Sequence, residues 1–207
     1  MLNYATPARR AARGFNLIEL LIGVAVMGVL LTLGLPSMSA WLQNAQLRTA
    51  ADGVISGLNL ARSEALRRNS TVRFQFTTTL DASCALSTSG RNWVVSQADP
   101  VGACNVAPSE TVAPQIIQAK SSVEGTTNAA ITATGGSSYS FNGLGRATGA
   151  GNMTAIDITN STGGACQGTD GVGGGPMRCL RVQISTGGQV RMCDPAVSAT
   201  TDPRYCP

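Results

Sequence analysis

The chain of 207 residues contains no histidine. Without an imidazole there is no Ser-His-Asp or Cys-His catalytic arrangement and no histidine-bearing zinc site. Charged side chains make up only 13% of the residues. Scarce charge with abundant Gly, Ser, Thr and Ala suits an exported, loop-rich β domain better than a cytosolic enzyme. The six cysteines include no Cys-x-x-Cys pair, and the stretch 163–176, with seven glycines, lacks the Lys-Ser/Thr ending of a phosphate loop. That stretch reads as a surface loop tethered by Cys166 and Cys179. Asp194 and Asp202 lack the dense oxygen spacing of a calcium loop. With no nucleophile motif either, the sequence argues against an enzyme, and neither a cofactor nor a metal is expected.

What the chain does have is concentrated at its start. Arg9, Arg10 and Arg13 precede Gly14, and an almost unbroken apolar run follows from Phe15 to Leu35, ending at Pro36. Those 21 residues would span about 31 Å as a helix, enough to cross a bilayer core. The three arginines would stay on the cytoplasmic side. An ordinary signal peptide, cut near Ser37-Met38-Ser39, would have a shorter and uncharged apolar core, whereas this run carries Glu19. A carboxylate near the bilayer centre costs at least ~2.5 kcal/mol and marks function. Gly34 and Pro36 weaken the helix where it would leave the membrane. Three of the 15 basic residues precede Gly14, which leaves 12 beyond it against 11 acidic ones, so net charge by itself implies no polyanionic partner.

Beyond Pro36 the apolar pattern becomes one-sided. Leu47, Ala51, Val54, Leu58, Ala61 and Ala65 recur at steps of four and three, an amphipathic helix, with Arg48, Asp52, Arg62 and Arg68 off the stripe. Arg67 and Arg68 suit the last turn, and Asn69 suits the C-terminal cap. One helix is therefore expected over roughly 16–68. Strands are expected around Val72–Phe76, Trp93–Ser96, Gln115–Ala119, Ala130–Ala133, Tyr139–Phe141, Met153–Thr159, Cys179–Ser185 and Gln189–Cys193, the last two joined by a Thr186-Gly187-Gly188 hairpin. A helix followed only by strands implies an α+β fold, the helix packed on an antiparallel sheet. Cys84, Cys104, Cys166, Cys179, Cys193 and Cys206 all lie beyond the apolar run. An even count in an exported domain reads as disulfides. Fifteen connectivities are open, and sequential pairing is the one expected; a four-thiolate metal site is the alternative.

The opening Arg13-Gly14-Phe15-Asn16-Leu17-Ile18-Glu19, with the apolar run and Pro36, closely resembles the processing site and N-terminal helix of type IV prepilins and type II secretion pseudopilins. The resemblance implies a pilin-like fold and cleavage by the prepilin peptidase after Gly14, with methylation of the new amine on Phe15. It implies that Glu19 meets the N-terminal amine of a neighbouring pilin during assembly. It also implies a leader 1–14, a membrane and assembly segment 15–35, an amphipathic segment 36–68 and a disulfide-stabilised β domain 69–207. The subunit would sit in the inner membrane with that domain in the periplasm, then in the pilus. Arg62-Ser63-Glu64-Ala65, Phe141-Asn142-Gly143-Leu144-Gly145-Arg146, Val190-Arg191-Met192-Cys193-Asp194-Pro195 and Asp202-Pro203-Arg204-Tyr205-Cys206 resemble the GspH/FimT-like minor pilins and pseudopilins. Some of these bind double-stranded DNA through a Gly-Arg-x-Arg element. Here the matching residues are Gly188, Gln189, Val190 and Arg191, so glutamine replaces the first arginine. The carry-over rests on Arg191, with Arg204, Arg178 and Arg181 as further cations near the C-terminus. The resemblance thus implies a minor pilin that initiates or caps a filament, with DNA capture or a role as a type II secretion pseudopilin as the alternatives.

Overall fold

Helix α1 runs over Leu17–Arg68, close to the expected bounds. The structure is a computed structural model describing residues 16–121 and 127–207, with the side chains of residues 33–37 excepted. The chain divides into two compact units, Met1–Ser39 and Ala40–Pro207. In the first, α1 carries apolar side chains that are more than half exposed on every side, from Leu17 and Ile18 to Leu30 and Leu31. α1 continues through Gly34 and Pro36, so the weakening expected there does not end the helix. Among the described residues no helix is long and apolar enough to cross a membrane. The span expected over 15–35 is described only in part, because Phe15 and the side chains after Thr32 lie outside the described residues.

In the second unit the same helix is amphipathic. Leu47, Ala51, Val54, Leu58, Ala61 and Ala65 are all fully buried, the stripe read from the sequence. The helix stops because Asn69 adopts a left-handed φ of 48°. The Ser70 N–H then donates to the Ala65 carbonyl at 3.2 Å and the Asn69 N–H to that of Leu66 at 3.3 Å, a Schellman closure.

Eight strands follow: β1 (Val72–Thr77), β2 (Asn92–Ser96), β3 (Ile116–Ser121), β4 (Ala130–Thr134), β5 (Ser138–Phe141), β6 (Ala155–Thr159), β7 (Leu180–Ile184) and β8 (Val190–Cys193). They form two four-stranded sheets, β3-β2-β1-β5 and β4-β6-β7-β8, where the sequence suggested one. All pairings within them are antiparallel. The chain leaves the first sheet for β4, returns for β5, where Phe141 pairs with Val72, and leaves again for β6. Alternating apolar residues show which face of a strand is buried but not which strand lies beside it. β1 also departs from the expected alternation, since Gln75 and Thr77 are buried with Phe74 and Phe76. Their polar atoms are used: Ser96 Oγ donates to Gln75 Oε1 at 3.3 Å, and Thr77 Oγ1 donates to the Thr79 carbonyl at 2.9 Å.

The α1 stripe and both sheets share one apolar core. The disulfides are Cys84–Cys104, Cys166–Cys179 and Cys193–Cys206. The first packs with Val94 and Ile116 in a smaller satellite core.

The helix lies close against the first sheet at Gly57. A Cβ there would sit 2.6 Å from a Phe74 ring carbon and 3.1 Å from the Trp93 indole. Both rings are buried and in contact, their centroids 5.4 Å apart. Gly53, one turn earlier, would meet nothing within 4 Å. Gly57→Ala should therefore destabilise the protein by about 1–3 kcal/mol through overpacking, while Gly53→Ala should stabilise it by about 0.5–1 kcal/mol through helix propensity. Thermal unfolding of the two variants, measured side by side, checks the opposite signs.

Candidate assembly segment and basic groove

Two regions carry the residues singled out by sequence. In the first unit, Glu19 lies in the first turn of α1. Its side chain is exposed, and its N–H donates to the Asn16 carbonyl at 3.0 Å. It is the only charged residue between Leu17 and Thr32. Gly14 and Phe15 lie outside the described residues, as does the Pro36 side chain.

In the second unit the four C-terminal arginines have different surroundings. Arg181 pairs with Asp157 across β6 and β7 at 2.7 Å, and the hydrogen bond to that carboxylate raises the guanidinium above its usual pKa. Arg204 pairs with Asp202 at 2.8 Å, which lowers the Asp202 carboxyl. Arg191 donates to the backbone carbonyls of Pro203, at 3.2 Å, and Tyr205. Together with Cys193–Cys206 and the Gln183 amide, which donates to the Pro207 carbonyl at 2.9 Å, it straps the C-terminal tail to β7 and β8. Arg178 is exposed, and its guanidinium has no partner among the described residues.

Arg178 does not stand alone. Its backbone N–H donates to Asn44 Oδ1 at 2.7 Å, and Asn44 Nδ2 donates to the Pro176 carbonyl at 3.1 Å. These bonds hold the approach to β7 against α1. Between them lies a groove of about 530 Å³, lined by Trp41, Asn44, Ala45 and Arg48 of α1 and by Arg178, Leu180, Met192, Cys193, Asp194 and Arg204. Sequence reasoning missed Trp41 and Arg48 as site residues. Their signal was the spacing of 41, 44, 45 and 48, which puts all four on one helical face. Asp194 Oδ1 accepts from the Ala196 N–H at 2.9 Å. Among the described residues no three acidic or sulfur side chains converge to hold a metal ion.

The other motifs are built into the scaffold. Glu64 accepts from Arg67 and Arg68, each at 2.8 Å, and both arginines also reach Glu110. In the Phe141–Arg146 segment, Asn142 Oδ1 accepts from the N–H groups of Leu144 and Arg146 to close a turn. Gly143 in that turn lies on the end of α1, where a Cβ would come within 2.9 Å of the Asn69 backbone.

The sequence profile of the family described as "Type II transport protein GspH" matches residues 50–188. No curated protein matches the chain. Two crystal structures of the type IV minor pilin FimU of Pseudomonas aeruginosa (strain PAO1), in space groups P65 and P21, are similar at 16% identity. They cover 70% and 73% of this chain and 90% and 91% of FimU, with TM-scores of 0.42 and 0.43.

The hydrogen bonds from Arg67, then Arg68, hold the Glu64 carboxyl below its ordinary range. A carboxyl lowered on folding contributes stability that is complete above its unfolded pKa and is lost as pH falls through the folded one. Glu64→Gln should accordingly flatten the acid side of a Tm-versus-pH curve. At neutral pH it should cost no more than about 1 kcal/mol, because the network is partly exposed. An acid limb as steep as that of the parent would contradict this.

Proposed function

The chain belongs to the GspH family of minor pilins and pseudopilins, and on that premise we propose that it is a minor type IV pilin inserted by the start of α1, helping to initiate or cap a filament. Membership of this family implies a place in the cell envelope. The observation that carries the proposal is the surface of Leu17–Leu31, apolar and exposed on every face with Glu19 as its single charge. The hydrophobic effect makes such a surface unstable in water, and only lipid or neighbouring apolar helices can cover it. Before assembly the cover is the inner membrane, crossed once by 15–35 with the β domain on the periplasmic side. After cleavage at Gly14 by the prepilin peptidase, the cover is the helices of adjacent major and minor pilins, and Glu19 then pairs with the methylated ammonium of a neighbouring Phe15.

A second reading, capture of DNA, is favoured by one observation: Arg178 and Arg191 are exposed and lack a carboxylate partner. Against it, Arg191 already holds the tail, Arg181 and Arg204 are paired, and Gln189 stands where an arginine would complete the element. Service as a type II secretion pseudopilin would use the same helix and differ only in the machine joined.

Removing one partner of a buried ion pair costs about 3–5 kcal/mol. Glu19→Ala should therefore be processed normally yet be missing from sheared filaments, as read by immunoblotting of membrane and filament fractions. The variant in filaments at the parent's level would overturn the role given to Glu19.

A further inference from the structure

We propose that the groove between Trp41–Arg48 of α1 and the β7–β8 end holds the phosphate of an anionic phospholipid, an inference that rests on the membrane anchoring proposed above. Its cationic groups are available. The guanidiniums of Arg48 and Arg178 have no hydrogen-bond or ion-pair partner among the described residues, whereas that of Arg204 is neutralised by Asp202. Asp194, 7% exposed, is the opposing charge in the lining, so the groove keeps one net positive charge. Two guanidiniums present forks that match phosphate oxygens.

The rest of the lining selects among anions. Leu180, Met192 and the Trp41 indole, which is 66% exposed, give the groove an apolar wall beside its cations. Free phosphate would answer the guanidiniums and leave that wall wet. A lipid offers a phosphate joined to apolar chain in one molecule, and about 530 Å³ is ample for a headgroup and its first carbons.

Position in the chain points the same way. Trp41 is the sixth residue after Leu35. Even fully extended, six residues reach only about 20 Å, a span that includes the headgroup layer, about 5–8 Å deep, of any bilayer that the apolar run crosses. Tryptophan is enriched at that depth, and each cation near an anionic leaflet gains roughly a factor of five in attraction.

The test reconstitutes the full chain in phosphatidylcholine vesicles containing a small fraction of either brominated phosphatidylglycerol or brominated phosphatidylcholine. Trp93, the other tryptophan, is 2% exposed, so bromine quenching reports Trp41. The expected result is an enrichment of phosphatidylglycerol beside Trp41 of roughly five-fold at low salt, from one net charge. That enrichment should vanish in Arg48→Gln/Arg178→Gln while flotation with the vesicles is unchanged. Flotation with equal quenching by the two lipids, or an enrichment that survives in the double variant, overturns the groove and leaves the anchoring intact. Failure to float overturns the anchoring and the groove with it. Loss of the enrichment on adding inorganic phosphate reassigns the site to a free anion; loss on adding an oligonucleotide reassigns it to nucleic acid. Either overturns the lipid.

Discussion

A helix with apolar side chains on every face has no stable state in water unless something outside it supplies the cover. From Leu17 to Leu31, α1 is such a helix, and its one carboxylate makes the need more specific. Lipid would cover the leucines and valines but leave Glu19, in the first turn of α1, without a partner for its charge. A neighbouring subunit carrying a free ammonium at its own first residue would cover both. On the proposed function, the unsatisfied acid would be a reason to leave the membrane for the filament, and the apolar faces the reason for the subunit to wait in the membrane until then.

From Leu47 onward the same helix solves a different problem. It buries one stripe, and the core of the second unit is organised on that stripe. Alanines at 50, 51, 61 and 65 and glycine at 57 keep the buried face thin, so large rings occupy the space between helix and strands. Phe74 packs on Phe76 and Trp93, and Tyr139 packs on Phe141. The Tyr139 hydroxyl reaches out of the core to donate to the Ser185 carbonyl at 2.8 Å, which ties the first sheet to the β7–β8 hairpin. Disulfides then hold what the core does not reach: the segment after β1, the glycine-rich loop and the C-terminal tail.

Local patterns were legible in the sequence, and pairing between distant segments was not. The steps of four and three from Leu47 to Ala65, the left-handed Asn69 and the turn between β7 and β8 each follow from a few adjacent residues, and each is present. The division into two sheets depends on β1 choosing β5 across more than sixty residues, a choice that no periodicity encodes. The burial of Gln75 likewise follows from the neighbours of β1, with Ser96 supplying its hydrogen bond. The site shows the same division. Arginines near the C-terminus were visible as charges, but only the fold reveals that Arg181 meets Asp157, that Arg191 is occupied by the tail, and that Arg178 shares a groove with Arg48 from a helix more than a hundred residues earlier.

The proposed function requires a cut at Gly14, which would create the ammonium that Glu19 needs. Intact-mass spectrometry of the protein purified from cells tests this most directly. The expected product is a chain beginning at Phe15 and heavier by a single methyl group. A mass that retains Met1 through Gly14, or a start beyond Pro36, would contradict it.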